Sequence, residues 1–92
     1  MAVRVRHEAE AGRFVAEVDG EAGHLTYEIA PGQVMLITHT FVPRQLRGRG
    51  IAADLVESAL AHARERGLEV RPLCSYVIAH MARRRSRSPG PA

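Results

Sequence analysis

A turn rich in glycine and arginine, Gln45–Gly50, separates an apolar run from an amphipathic run. Gly48 and Gly50 allow tight bending and a close approach of a ligand to the backbone, because glycine has no Cβ. Backbone N–H groups at a helix start, together with the positive end of the helix dipole, bind anions such as phosphate. Arg47 and Arg49 add positive charge. The spacing therefore indicates a site for a ligand that carries a pyrophosphate.

Hydrophobic periodicity predicts four strands before this turn. Alternating or continuous apolar residues place them at Ala2–Arg6, Phe14–Val18, His24–Ala30 and Gln33–Val42. Asp19-Gly20 and Pro31-Gly32 are turn signals, and Gly23 lengthens the first of these loops to about five residues. Short turns between successive strands are typical of an antiparallel meander.

A helix is predicted over Ile51–Arg66, where apolar residues form one stripe and Gly67 provides the stop. A fifth strand, Leu68–Leu73, follows this crossover and is expected to run parallel to the fourth. Ser75 can cap a short second helix, Tyr76–Arg84, with its apolar residues Tyr76, Ile78 and Met81 on the sheet. The predicted fold class is α+β, a mixed sheet in which a helical crossover joins a four-strand meander to a parallel fifth strand.

Length and charge bound the possible functions. The chain has 92 residues and a net charge of +3, which fits one domain over residues 1–84 and a disordered Arg/Ser/Pro tail over residues 85–92. Residues 1–82 hold nine arginines against ten acids, which argues against a broadly basic nucleic-acid-binding domain. No run approaches the roughly 18 apolar residues of a membrane helix, and Met1–Arg6 lacks a signal-peptide core. With one cysteine, we expect a protein of the reducing cytoplasm.

The stretch Gln45–Gly50 resembles the phosphate-binding signature Gln/Arg-x-x-Gly-x-Gly/Ala of the GNAT superfamily of N-acetyltransferases at every fixed position. Further stretches are similar to the small stand-alone YjdJ-like branch of that superfamily, namely His39-Thr40 with Val42-Pro43, Ala63–Leu68, and Pro72-Leu73-Cys74 with Tyr76. The resemblance covers roughly residues 3–82, nearly the whole predicted domain.

The resemblance implies acetyl-CoA as co-substrate. Its pyrophosphate would lie on the N–H groups around Arg47–Ile51, and its pantetheine arm would pair with the backbone near Phe41 and Val42. That gap, where the fourth and fifth strands separate, is also where open α/β sheets tend to bind ligands. The candidate cofactor-binding residues are Phe41, Val42, Gln45, Leu46, Arg47, Gly48, Arg49, Gly50 and Ile51.

Acetyl transfer to an amine needs a neutral amine, a stabilised oxyanion and a proton for the leaving thiolate. His39 is the candidate base, because this chain has Phe41 where members of the branch usually carry a glutamate. The resemblance puts Cys74 beside the acetyl group, where its thiol could accept the acetyl as a thioester or protonate coenzyme A. Both also have purely structural interpretations, His39 as a hydrogen-bonded strand residue and Cys74 as a small buried hydrophobe.

Two other functions remain open. The loss of the acid at Phe41 is compatible with a CoA-binding module that has no activity. The Arg83–Arg87 tail could contact nucleic-acid phosphates, although four charges without stacking aromatics indicate a weak, non-specific site. The histidines lack metal-ligand spacing, so no metal is predicted. The amine acceptor and the oligomeric state are not specified by the sequence.

Overall fold

The computed structural model describes residues 4–87, with side chains described for residues 4–84. Its strands are β1 Arg4–Glu8, β2 Arg13–Val18, β3 Glu21–Ala30, β4 Val34–Phe41 and β5 Glu69–Pro72, and its helices are α1 Ile51–Arg66 and α2 Ser75–Arg87. One sheet has the order β1-β2-β3-β4-β5. Every pair is antiparallel except β4 and β5, which are parallel. The predicted α+β fold and its crossover are confirmed.

Both helices pack on one face of the sheet. Val77 of α2 belongs to the same buried cluster as the apolar stripe of α1, and His80 of α2 hydrogen-bonds Glu57 of α1. The predicted stripe of α1 is buried throughout, as Ile51, Leu55, Val56, Ala59, Leu60 and Ala63. On α2 the expectation was wrong in one position. Val77 is fully buried, whereas the neighbouring Ile78 is half exposed, because Tyr76, Val77 and Met81 form the stripe that faces the core.

The other face of the sheet, which we call the open face, has no helix over it among the described residues. Its outer strands carry an ion-pair network in which Arg6 contacts Glu8 and Glu17, and Arg13 Nε donates to Glu8 Oε1 at 2.6 Å. These groups are largely exposed, so the network contributes little free energy to folding. The hydrophobic core therefore lies almost wholly between the sheet and the two helices.

Several predicted boundaries differ from the structure. The first strand extends to Glu8 and not to Arg6, since His7 and Glu8 pair with Phe14 and Arg13 of β2; residues 2 and 3 lie outside the described residues. Between β2 and β3 the loop has two residues, not about five, because Asp19 and Gly20 both adopt positive φ and form the turn alone. Gly23 is consequently a buried strand residue.

The second helix starts one residue earlier and ends three residues later than predicted. Cys74, rather than Ser75, is its cap residue, since the carbonyl of Cys74 accepts the first helical bond, from Ile78 N at 3.0 Å. At the other end the backbone remains helical through Arg87, three residues into the predicted disordered tail. Arginine is a good helix former and suits the negative end of the helix dipole. Residues 88–92 of the predicted tail lie outside the described residues.

A β-bulge in β4 determines which side chains reach the helix side. Thr26 of β3 faces His39, but the next residue, Tyr27, faces Ile37, so Thr38 has no partner of its own in the register. A single extra residue reverses the alternation. Beyond the bulge Thr40 therefore points to the core side, and His39 lies on the open face.

Candidate functional site

The sheet opens between β4 and β5 just beyond the bulge. Pairing of the two strands ends with Ile37 opposite Pro72, and Leu73 N donates the last bond to Ile37 O at 2.8 Å. The end of β4 therefore has no partner on the β5 side among the described residues. A cleft of about 460 Å³ lies at this end of the sheet, lined by Thr40, Phe41, Val42, Arg47, Gly48, Gly50, Ala52 and Tyr76.

One wall of the cleft is the turn that enters α1. Gly48 and Gly50 have φ of 84° and 77°, in the left-handed region that favours glycine, and a Cβ at either would meet no atom within 4 Å. The first helical bond runs from Asp54 N to Gly50 O, so the N–H groups of residues 51–53 have no intrahelical acceptor. Gly50 caps the helix without a side-chain bond. The turn thus presents free donors to the cleft, as an anion site requires.

The backbone N–H groups just before these glycines already have hydrogen-bond acceptors within the turn. Leu46 N and Arg47 N bond to Pro43 O and Arg44 O and close a 3-10 turn over Arg44–Leu46. The side chain of Leu46 is buried and anchors this turn on the core. Donors for an anion are therefore expected from Gly48 onward and not from Leu46 or Arg47.

Two arginines of the turn already contact neighbouring groups. Arg47 Nε donates to Val42 O at 3.1 Å, and so covers a backbone acceptor at the end of β4. Arg49 Nη1 lies 3.6 Å from Asp19 Oδ2, an exposed ion pair that screening by solvent makes weak. Both guanidinium groups remain beside the turn, where they add to its positive potential.

Cys74 lies at the opposite wall, at the start of α2. Burial raises the pKa of its thiol, but hydrogen bonds from the backbone N–H groups of Val77 and Tyr76, and from Thr40, outweigh burial and hold the pKa below its ordinary value. A thiol at a helix N-terminus is stabilised as the thiolate by these donors and by the helix dipole. The side chain is only partly buried, so the sulfur is not sealed in the core.

Thr40 connects the sulfur with the cleft. The Thr40 Oγ1 atom is buried and has no hydrogen-bond partner of good geometry among the described residues. Toward the Cys74 sulfur this hydroxyl makes only a weak interaction, which helps to lower the pKa of the thiol. A ligand or water in the cleft would complete its bonding. The free donors of the turn and the open space beside them fit a polar, phosphate-bearing ligand.

His39 lies apart from this cluster. It is exposed on the open face, and its ring centroid is 6.2 Å from that of His24. Thr40 separates it in sequence from Phe41, which is also exposed yet reaches the rim of the cleft. The two predicted catalytic residues therefore lie apart: His39 is on the open face near the end of β4, whereas Cys74 is on the helix side at the start of α2.

Most, but not all, of the predicted cofactor-binding residues lie in or beside the cleft. Five of them, Phe41, Val42, Arg47, Gly48 and Gly50, line the cleft. Gln45 and Arg49 are exposed beside it, while Leu46 and Ile51 point into the core and offer only backbone.

Three lining residues were not singled out as cofactor-binding by the sequence analysis. The place of Ala52 beside the turn could be predicted from the helix, because Ala52 lies in the first turn of α1. Tyr76, which the sequence predicts to face the sheet from the second helix, also lines the cleft. No local sequence signal indicates that Thr40 lines the cleft, because the bulge in β4 determines the face on which its side chain lies.

Comparison with known proteins agrees with this geometry. A family model described as GCN5-related N-acetyl-transferase matches residues 13–88. Protein NATD1 of Mus musculus is 32% identical over 77 residues, which cover 82% of this chain and 70% of the mouse protein. The Homo sapiens and Danio rerio proteins of the same name are 32% and 30% identical over equally long matches, which cover 68% and 70% of those proteins. The chain belongs to the GCN5-related N-acetyltransferase family.

Proposed function

We propose that this protein binds acetyl-CoA in the cleft between the ends of β4 and β5 and transfers the acetyl group to an amine. The observation that carries the proposal is the pairing of two features across one cleft. Free N–H donors at the start of α1 form one wall, and a cysteine whose pKa is lowered by the start of α2 lies at the other. The unpaired end of β4 lies between them.

The turn Gln45–Gly50, which we call the phosphate turn, and the start of α1 hold the pyrophosphate. They do so through the N–H groups from Gly48 to Ala53 and through the positive end of the α1 dipole. The pantetheine arm extends along the end of β4, where the backbone lacks a strand partner. Val42 O is one acceptor along that path, and Arg47 Nε now occupies it. Binding in this manner requires Arg47 to leave Val42, which frees its guanidinium for the phosphates.

Bound acetyl-CoA would supply an acetyl group activated as a thioester. The Cys74 thiolate would take this acetyl group as coenzyme A leaves as its thiolate, because the donors at the start of α2 favour the charged, nucleophilic sulfur. The acceptor amine would then take the acetyl group from Cys74 and release the Cys74 thiolate. Protonation of the departing coenzyme A by the thiol is the second role open to Cys74. His39 takes the proton of the acceptor amine, directly or through water. Because His39 lies on the open face, the amine approaches from that side.

We propose that the protein belongs to the YjdJ-like branch and acts in the cytoplasm. The stretches His39-Thr40, Ala63–Leu68 and Pro72-Leu73-Cys74 support the branch, and the single cysteine supports a reducing compartment. We further propose that residues 1–84 act as one domain, with residues 85–92 as an appended tail. Within residues 4–87, no helix has the length and apolar character needed to cross a membrane.

Calorimetric titration with acetyl-CoA tests the binding step. Gly48→Glu places a carboxylate where the pyrophosphate would lie, and should weaken binding at least about a hundredfold. Gly32→Glu is the matched control, because Gly32 also has positive φ (86°) and open space around it, but lies in the turn before β4. Equal affinity of the two variants for acetyl-CoA, or no heat with the wild type, would exclude the phosphate turn as the site.

A non-catalytic CoA-binding module is the second candidate. It is favoured by Phe41, an apolar residue at the rim of the cleft, in the position where members of the branch that the sequence resembles usually carry a glutamate. Turnover assays with amines of different size distinguish the two functions. Tight binding of acetyl-CoA without release of coenzyme A in the presence of any amine would favour the module.

A further inference from the structure

A second hollow lies at the far end of α1, away from the cleft. It has a volume of about 400 Å³ and is lined by His7, Ala9, Tyr27, Ile29, His62, Arg66 and Leu68. His62 follows Ala52 by ten residues, so the hollow and the cleft are separated by about 15 Å along the helix axis. The two sites share no lining residue.

The imidazole of His7 is fixed at the wall of this hollow. Its ring stacks on Phe14 with centroids 4.2 Å apart and planes 4° apart, and the ring of His62 meets it edge-on at 4.4 Å. His7 Nε2 lies 2.6 Å from Tyr27 Oη, which engages one ring nitrogen. Since Nε2 is engaged, Nδ1 is the ring nitrogen that remains for a ligand.

The polar groups of the hollow are cationic or hydrogen-bond donors. None of the described residues that line it is acidic, and Arg66 forms no ion pair with a described residue. Burial, then His62 and Arg66, lower the pKa of His7, while burial raises the pKa of Tyr27. His7 is therefore neutral at pH 7 and near a fixed positive charge, and the Tyr27 hydroxyl keeps its proton.

The remaining wall is apolar and accessible. Ile29 lies on the core side of β3, yet 53% of it is exposed, because neither helix extends over it. Ala9 and Leu68 complete this wall. An exposed isoleucine beside fixed donors and one guanidinium is the arrangement expected of a small-ligand site, which combines apolar surface with a few convergent polar groups.

We propose that this hollow binds a small organic anion, a carboxylate attached to a compact apolar or aromatic body. The carboxylate pairs with the Arg66 guanidinium and accepts hydrogen bonds from the histidines. The apolar body packs on Ile29 and Leu68. Charge-assisted bonds to arginine are the strong contacts in such a site, whereas the apolar wall selects against inorganic anions.

Backbone NMR of the full chain, with benzoate as the probe, tests the proposal. Benzoate should shift the amide signals of His7, Ile29, His62 and Leu68 in a saturable manner and leave those of Gly48 and Gly50 unchanged. Benzyl alcohol, which keeps the ring without the charge, and inorganic phosphate, which keeps the charge without the ring, should each bind at least about tenfold more weakly. Because the readout lies away from the cleft, it does not depend on acetyl-CoA binding.

Arg66→Gln should weaken benzoate binding about tenfold or more. Arg64→Gln, in the same helical turn but outside the lining, should change it less than about twofold. The proposal is overturned if Arg66→Gln and Arg64→Gln behave alike, if benzyl alcohol binds as well as benzoate, or if benzoate shifts no signal around the hollow.

Discussion

Cys74 owes its chemical character to its position as the cap of α2. The backbone N–H groups of Tyr76 and Val77, with Thr40 from β4, lower the pKa of its thiol against the effect of burial. Cys74 is both the cap residue of α2 and the residue that carries the reactive sulfur. Serine is a good N-cap residue, so Cys74→Ser keeps the helix cap while it removes the thiol.

Cys74→Ser should therefore lower the rate of amine acetylation by about a hundredfold or more while acetyl-CoA still binds. In the wild type the rate should rise with pH as the thiol ionises, and should do so below the pH range of an ordinary cysteine, because the pKa is lowered. This rising limb should be absent in the serine variant. A serine variant with wild-type rates at every pH would leave Cys74 a purely structural role.

At Gly23 the backbone of β3 closely approaches the end of β4. A Cβ built on Gly23 would lie 3.0 Å from Phe41 O and 3.4 Å from Val42 Cγ2. Gly23→Ala should therefore lower the free energy of unfolding by about 1–3 kcal/mol, as overpacking of a core does. Ala22→Ser, at the adjacent exposed position, is the control for urea denaturation, and equal midpoints for the two variants would refute the close approach.

At the scale of elements, Glu57 of α1 contacts His80 and Arg84 of α2, a polar cluster that we call the ionic clasp. Glu57 accepts from His80 Nε2 at 2.8 Å and from Arg84 Nε at 2.9 Å. The hydrogen bond from His80, and then the Arg84 guanidinium, lower the pKa of Glu57 more than burial raises it. A carboxylate with a lowered pKa stabilises the fold above its unfolded pKa, and this contribution is lost as the pH falls through the folded value.

Glu57→Gln should thus cost less than about 1 kcal/mol at neutral pH, since the pair is partly exposed. Its cost should shrink at acid pH, as the pH falls through the lowered pKa of Glu57 and the wild-type carboxylate also becomes neutral. Urea midpoints at the two pH values measure the difference. Glu65→Gln, on the exposed side of α1, should show no such change, and a clasp that mattered equally at both pH values would contradict the ionic account.

Elements with local signals were predictable, and features that depend on pairing were not. The stripe of α1 and its Gly67 stop follow from spacing alone, and both bounds of this helix agree with the structure. The bulge at Thr38 arises only when β4 pairs with β3, so the orientation of Thr40 could not be read from the sequence. For the same reason, the separation of His39 from Cys74 onto opposite faces became visible only in the folded sheet.

At the scale of the whole molecule, a ligand that binds only the folded state adds to the free energy of unfolding. We expect acetyl-CoA at about one hundred times its Kd to add about 2.7 kcal/mol, which corresponds to a rise in Tm of about ten degrees or more for a domain of this size. Differential scanning fluorimetry measures this rise. Gly48→Glu should show none of it, and Gly32→Glu should show all of it; a wild-type Tm that does not respond to the ligand would contradict the proposed site.

The cap position of Cys74 also ties covalent chemistry at the sulfur to the order of α2. A thiolate bonds the first free amides of the helix, but an acylated or alkylated sulfur is neutral and a poor acceptor, so the first turn of α2 loses its cap. The amides of Tyr76 and Val77 would then exchange their hydrogens with solvent faster, in step with modification. Deuterium exchange at these two amides would thus report whether Cys74 is acylated, without a coloured substrate.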